Sequence, residues 1–285
     1  MGVNISEAIA SANQSFTKLE QRVATYLSSR PEAVALETSA EIAEKLQVSP
    51  MTVSRFFKKL GFTNLNELRA DARRDLCGPT SARIGSRFKS FKQASQTRDA
   101  TQDHAIANAA IRTALDLRET ERWQDAVQYV AHSDSVMAVG FQVMQYLANG
   151  FAMRLKYLRS NVMFLDGTDG VYAEVFGDDS ETKALILIDT FRYGNHGPIL
   201  AKAARERGFK VILFCDEFCD WGSSLSDVML PYPNEGHMFL PFPTGIHFGL
   251  NLMFQDVVTE LGDKARDKVE QVATSQDLFD NFLPE

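Results

Sequence analysis

The stretch SAEIAEKLQVSPMTVSRFFKKLGF, residues 39–62, decides the fold of the N-terminal part of the chain. Its first half has the spacing of a short amphipathic helix, and a tight turn follows at Gln47. Ser49 is a strong N-cap residue, and Pro50 suits the first helical position because its missing N–H is not needed there. The pattern therefore predicts two short helices joined by a turn, which is a helix-turn-helix.

The second of these helices is predicted to carry a DNA-binding face. It should bury Val53, Leu60 and one of the two adjacent phenylalanines. Its other face is polar and has three basic residues and no acidic one, as a helix in the major groove requires. An ordinary solvated face is the alternative, but the turn and the Ser-Pro start favour DNA. The predicted DNA-binding residues are Ser49, Met51, Thr52, Ser54, Arg55, Lys58 and Lys59.

The longer stretch SAEIAEKLQVSPMTVSRFFKKLGFTNLNELR closely resembles the helix-turn-helix of the RpiR/MurR family of bacterial transcriptional regulators. The matching pieces are IAEKL, TVSRF and KKLGF, and the resemblance covers about residues 1–77. It implies a second, C-terminal domain of the sugar isomerase (SIS) type.

The charge distribution also divides the chain of 285 residues into two parts. Residues 1–98 hold 15 Lys and Arg against 9 Asp and Glu, a charge of +6. Residues 99–285 hold 15 against 28, a charge of −13. A basic module joined to an acidic one indicates a nucleic-acid reader attached to a domain with another partner.

The three cysteines are an odd set, which argues against a disulfide framework. Neither a long apolar run nor a signal-peptide pattern is visible in the sequence. We therefore expect a cytoplasmic protein with no membrane partner. Cys215 and Cys219 have a loose metal-like spacing without further ligands, so no metal or cofactor is predicted.

The second half alternates short apolar runs with helical patterns. The runs are DSVMAVG, NVMFLD, KALILID, FKVILFC and SDVMLPY. Strands buried on both faces and separated by helices predict a doubly wound parallel α/β sheet. The predicted fold is thus an all-α helix-turn-helix head plus an α/β domain. The expected ranges are 1–77 for the head, 78–117 for a helical linker, 118–262 for an SIS-like domain and 263–285 for a C-terminal tail.

Two loops at strand ends are predicted to bind a ligand, because such sheets bind ligands beyond the carboxyl ends of their strands. One follows the first strand at Gly140. The other follows the third strand and precedes a helix, for which Asn195 or His196 is the expected cap. The predicted ligand-binding residues are Gly140, Gln142, Val143, Asp189, Thr190, Arg192, Tyr193 and Asn195.

These loops depart from the SIS pattern that the second half otherwise resembles. Most SIS domains carry Gly-x-Gly-Ser-Ser in the first loop, where this chain reads GFQVMQ. Most carry Ser-x-Ser-Gly-x-Thr in the second, where this chain reads IDTFRYGN, with Asp189 in place of a small hydroxyl residue. The resemblance implies a sugar-phosphate ligand. The departures leave a smaller, less charged metabolite or a vestigial pocket as alternatives.

Three functions are compatible with these features. The leading interpretation is a non-enzymatic regulator that binds a double-stranded DNA operator as a homodimer or homotetramer and senses a sugar-derived effector, phosphorylated or not. The second is an SIS-type sugar isomerase, although its candidate bases lie in no recognisable motif. They are Glu174, His196, Glu235, His237 and His247. The third is a DNA-binding protein whose C-terminal domain only oligomerises.

Overall fold

The chain divides into two compact units between Ser90 and Phe91. Within the ranges that the structure describes, no helix is long and apolar enough to cross a membrane. The computed structural model describes residues 8–9, 16–29, 33–62, 68, 84–85, 88, 91–92, 100–168, 170–190, 194–233, 239–240 and 243–280.

The first unit is helical. Its apolar core is formed by side chains such as Val23, Leu27, Ile42, Val53 and Phe56, all fully buried. The Phe56 ring lies against Phe16 on one side and Phe57 on the other, with centroid distances of 5.1 and 5.5 Å. The main helices are α1 (Lys18–Ser29), α2 (Ala33–Leu36), α3 (Ser39–Lys45) and α4 (Pro50–Lys59).

The helix-turn-helix prediction is confirmed by α3 and α4. Thr38 caps α3 in a capping box, because its hydroxyl accepts from the Glu41 N–H while the Glu41 carboxylate accepts from the Thr38 N–H. Gln47 takes a positive φ of 50° in the turn, and Ser49 caps α4. Gly61, with a φ of 89°, follows the C-terminal end.

The buried face of α1 differs from the simple apolar stripe Phe16, Leu19, Val23, Leu27 that the spacing predicts. Leu19 is 45% exposed, whereas Glu20 is 4% exposed. The buried Glu20 carboxylate forms an ion pair with Lys59, which is 39 residues away in the sequence.

The second unit is built around a five-stranded parallel sheet with strand order β2-β1-β3-β4-β5. All five predicted strands are present. They are β1 (Ser135–Gly140), β2 (Val162–Leu165), β3 (Lys183–Ile188), β4 (Phe209–Asp216) and β5 (Val228–Tyr232).

Helices cover both faces of this sheet, as a doubly wound fold requires. On one face α5, α6, α7 and α11 pack on side chains such as Ala138 and Ile186. On the other face α8 and α9 pack on their neighbours such as Val139 and Leu187. The helices are α5 (Ala100–Arg118), α6 (Glu121–His132), α7 (Gln145–Leu155), α8 (Ala173–Gly177), α9 (His196–Glu206), α10 (Gly222–Leu225), α11 (Thr244–Leu261) and α12 (Arg266–Leu278).

One carboxylate ties three of the helices together. Asp256 of α11 accepts from the Arg118 guanidinium, with an Nε–Oδ2 distance of 2.9 Å, and from the Trp123 indole N–H at 2.8 Å. Burial lowers and the Asp256 hydrogen bond raises the pKa of Arg118, and the hydrogen bond has the larger effect. Helix α5 therefore packs on α11 as part of the second unit, although it lies mostly in the segment expected to be a linker.

The strand register fixes the place of a ligand site. Gly140, the last residue of β1, pairs with Ile188, the last residue of β3. The chain leaves these two neighbouring strands toward opposite faces of the sheet, because α7 follows β1 and α9 follows β3. This is the topological switch point, where ligands bind in open α/β sheets.

Candidate nucleic-acid interface and effector site

The outward face of α4 has the composition that the sequence predicts. Met51 is 61% exposed, and the side chains of Arg55 and Lys58 are also exposed. Thr52 and Ser54 are half-buried. Both adjacent phenylalanines, Phe56 and Phe57, are buried, where the sequence required only one. The helix is therefore held firmly by its apolar face while its polar face stays open.

Two of the predicted DNA-contacting residues have a structural task at the start of α4. The Ser49 hydroxyl accepts from the Thr52 N–H at 3.1 Å and lies 2.9 Å from the Thr52 hydroxyl. This cap fixes the first turn, which is the part of a recognition helix that contacts base edges.

Lys59 is an ion-pair partner inside the head as well as a predicted DNA contact. Its ammonium lies 2.6 Å from the Glu20 carboxylate. Burial acts to raise the pKa of Glu20, but hydrogen bonds from Lys59 and Thr17 outweigh it and lower the pKa. By contrast, no carboxylate among the described residues pairs with Arg55 or Lys58. These two cations can meet phosphates without first giving up a partner.

The second candidate site lies where β1 and β3 end. The Phe141 N–H donates to the Ile188 carbonyl at 3.1 Å, so the first predicted loop starts beside the second. A Cβ on Gly140 would lie 2.3 Å from the Met144 carbonyl oxygen, so the turn after β1 closes tightly onto the strand end. Only glycine fits there, and this explains the small residue at the start of the loop.

Asp189 is the central polar group of this crevice. It directly follows β3 and is only 3% exposed. Its Oδ2 atom would be 2.6 Å from a Cβ placed on Gly197, so the carboxyl group lies against the first turn of α9. Oδ2 has no hydrogen-bond partner among the described residues. A buried polar atom without a partner is costly in a folded protein, and such atoms often face a ligand.

The surroundings of Asp189 favour its neutral form. Burial raises the pKa of Asp189 well above its usual value, and the nearby Cys219 and Asp216 raise it further. A hydrogen bond from the Thr190 N–H acts in the opposite direction and is smaller. A ligand that donates hydrogen bonds would relieve this unfavourable burial.

Aromatic rings that the sequence did not indicate surround this carboxyl group. Phe141 and Trp221 both lie within 3.5 Å of the position of a Cβ on Gly197. The Tyr172 ring packs edge-on against Phe141 at 6.1 Å and against His196 at 5.9 Å. Tyr172 and Trp221 come from loops after other strands, so only the folded sheet brings them together. The only available signal was their position beyond strand ends.

The other predicted ligand residues have different outcomes. Gln142 has a positive φ of 53° and is exposed, and Thr190 is half-buried. Val143 is 51% exposed and lies in the 3₁₀ turn of residues 142–144 that precedes α7. Asn195 is exposed and makes no side-chain cap on α9, contrary to expectation. Arg192 and Tyr193 lie outside the described residues.

The side chains considered as isomerase bases do not form a cluster that the structure reveals. Glu174 and His196 are exposed, and His247 is half-buried on α11. Glu235 and His237 lie outside the described residues. Cys215 and Cys219 form a hydrogen-bonded thiol pair, which raises the pKa of Cys215 and lowers that of Cys219.

Comparison with protein-family models gives a match over residues 3–77 to the helix-turn-helix domain of the rpiR family. The match is confined to the N-terminal domain. The matched residues include helices α3 and α4, which form the helix-turn-helix described above. Comparison with curated proteins gives no significant match.

Solved structures extend the likeness to the whole chain. The Vibrio vulnificus NanR protein, solved with ManNAc-6P, is 18% identical, with a TM-score of 0.56 and coverage of 97% of this chain and 99% of its own. The sugar isomerase domain of an RpiR transcription factor from Sphaerobacter thermophilus is 18% identical, with a TM-score of 0.55 and coverage of 61% and 97%. The chain therefore joins a helix-turn-helix domain similar to that of the rpiR family to a domain with the fold of that sugar isomerase domain.

Proposed function

We propose that this protein binds a DNA operator through α4 and that a sugar-derived metabolite in the switch-point crevice changes its affinity for that operator. The proposal rests on the presence of two features in one chain. One is the exposed basic helix α4, whose first turn is capped. The other is the buried Oδ2 atom of Asp189, which has no hydrogen-bond partner among the described residues. NanR from Vibrio vulnificus, which shares the fold at 18% identity, was solved with a phosphorylated amino sugar. That supports a sugar-related effector here.

We further propose that the protein acts as a homodimer or homotetramer. A single helix-turn-helix makes few base contacts, so tight specific binding needs two heads on two half-sites. An effector that shifts the relative position of two heads would then change operator affinity without any catalytic step. We assign no catalytic role to the crevice.

The experiment has a DNA part and an effector part. Operators are selected from a random DNA pool with the full-length protein, and affinity is measured by fluorescence anisotropy with and without sugars, polyols and sugar phosphates. We expect specific dissociation constants of ~10⁻⁸ M or lower and at least one compound that changes them severalfold. Failure to select any DNA sequence would refute the operator function. Selection without any response to the compounds would favour a domain that only oligomerises.

Arg55→Ala tests the interface assigned to α4. It should weaken operator binding by about 1–3 kcal/mol and leave thermal unfolding unchanged, because Arg55 is exposed and its loss leaves no partner unpaired. The matched control is Lys202→Ala, which removes one exposed positive charge from α9 in the other domain and should leave the affinity unchanged. Equal effects from both variants would mean that Arg55 acts only through net charge.

A further inference from the structure

The start of α9 is a site with unusual requirements for its ligand. The first N–H groups of a helix have no partner within the helix, and the Asn195 side chain at the N-cap of α9 forms no capping hydrogen bond. The Asp189 carboxyl group, 3% exposed and with Oδ2 lacking a partner among the described residues, lies against this same turn at Gly197. Hydrogen-bond donors and an acceptor thus meet within one helical turn.

We propose that this crevice takes an unphosphorylated, polyhydroxylated ligand, with a hydroxyl group that donates to Asp189 while a hydroxyl oxygen accepts from the first turn of α9. The inference rests on the proposed function, which places the effector in this crevice, and it narrows the chemical class of that effector. A hydroxyl group both donates and accepts, so one sugar or polyol satisfies both halves of the site. The rings of Phe141 and Trp221 beside Gly197 supply apolar walls for the carbon skeleton.

The two obvious alternatives meet only half of these requirements. A phosphate accepts from helix N–H groups, but it has no hydrogen to donate to the Oδ2 atom of Asp189, which has no partner among the described residues. Pro198, in the first turn of α9, has no N–H to give, which removes one of the donors that such a turn offers an anion. An ammonium group donates to Asp189 but cannot accept, and the positive end of the helix disfavours it.

The test is isothermal titration calorimetry on the full-length protein with matched pairs of compounds. The pairs are mannose and mannose 6-phosphate, N-acetylmannosamine and its 6-phosphate, and mannitol and mannitol 1-phosphate. In at least one pair we expect the unphosphorylated member to bind about tenfold or more tightly than its phosphorylated partner. The opposite ranking would overturn the proposal and would indicate a protonated Asp189 that donates to phosphate. No binding by any of these compounds at millimolar concentration would also overturn it.

Two substitutions of Asp189 sharpen the result. Asp189→Asn should weaken the unphosphorylated ligand about tenfold, because the amide can face a hydroxyl but accepts more weakly than a carboxylate. Asp189→Ser should reduce the preference between the members of a pair, because a serine hydroxyl can donate to a phosphate as well as accept from a ligand hydroxyl. The matched control is Asp178→Asn, a carboxyl group that also has an unpartnered Oδ2 but precedes β3 instead of following it. Equal losses in the Asp189 and Asp178 variants would refute a direct contact.

DNA affinity measured on the same samples separates this inference from the proposed function. If an unphosphorylated compound binds but operator affinity does not change, the ligand class stands and the sensing function fails. If a phosphorylated compound binds and changes operator affinity, the sensing function stands and the ligand class is wrong.

Discussion

Asp189 is an acidic residue that the fold buries almost completely. Its identity and its position after β3 could be predicted from the sequence, and so could its conflict with a phosphate. Its almost complete burial could not, because that depends on Phe141, Gly197 and Trp221, which come from three separate segments of the chain. A residue of this kind is expected to cost stability in the unliganded protein and to be kept for a function.

Asp189→Asn should therefore stabilise the protein at neutral pH, by roughly 1–3 kcal/mol. A raised native pKa means that the folded state holds the proton more tightly than the unfolded chain. Stability then falls as pH rises from the unfolded pKa of about 3.9 through the native value. Thermal unfolding at several pH values should show the gain of the variant at pH 7 and its disappearance near pH 4.

Asp178→Asn is the matched variant, and its expected effect on stability is opposite to that of Asp189→Asn. Burial acts to raise the pKa of Asp178, but hydrogen bonds from Ser135 and Ser180, together with Lys183, lower it overall. Its stabilising contribution is present above the unfolded pKa and is lost as pH falls through the native pKa. The variant should be less stable than the wild type at pH 7. A pH profile that is the same for both variants would contradict the assigned environments.

Helix α4 combines two roles on adjacent residues, and the sequence alone assigned both to DNA. Lys58 is exposed without a carboxylate partner among the described residues, whereas Lys59 pairs with the buried Glu20. Lys58→Ala should weaken operator binding and make it less salt-dependent, with unchanged unfolding. Lys59→Ala should destabilise the head by about 1–3 kcal/mol, because it leaves a buried carboxylate unpaired. Chemical denaturation and DNA titration of both variants test this assignment. A loss of stability in Lys58→Ala together with a loss of operator binding alone in Lys59→Ala would contradict it.

Local signals were sufficient for most elements. The amphipathic spacing predicted α3, the Ser-Pro start predicted α4, and five apolar runs predicted the strands. Helix α11 lacked such a signal because it is apolar on most sides and shows no clear period. A local sequence pattern could not predict the burial of Glu20, because its ion-pair partner Lys59 is distant in the sequence.

The whole molecule has a charge split that suits a DNA-binding head on an acidic body, with +6 before residue 99 and −13 after it. The basic head attracts the phosphate backbone, while the acidic domain is repelled by it. The acidic domain is also the part proposed to bind small ligands and to contact other copies of the chain. The charge split was visible in the sequence, but a surface that would contact other copies was not.

Helix α12 is the strongest candidate for that surface, because none of its residues is buried within one chain. Leu278 and Phe279 at its end are 79% and 74% exposed. Burying such side chains against a second copy would contribute about 1.5–3 kcal/mol each to the free energy of association. A variant with Leu278→Ser and Phe279→Ser should raise the dissociation constant of the oligomer at least tenfold in analytical ultracentrifugation.

Dissociation of the oligomer should weaken DNA binding, because two linked heads bind a paired site more tightly than a single head does. The α12 double variant should bind a single half-site as well as the wild type does and lose affinity for the paired site, because each head then binds alone. Ile199→Ser is the matched control, since Ile199 is 65% exposed on α9 in the same domain. Its variant should keep both the oligomer and the paired-site affinity. If the control alone dissociates, the interface lies on the α9 side of the sheet, and the effector crevice at the start of α9 would then adjoin the partner subunit.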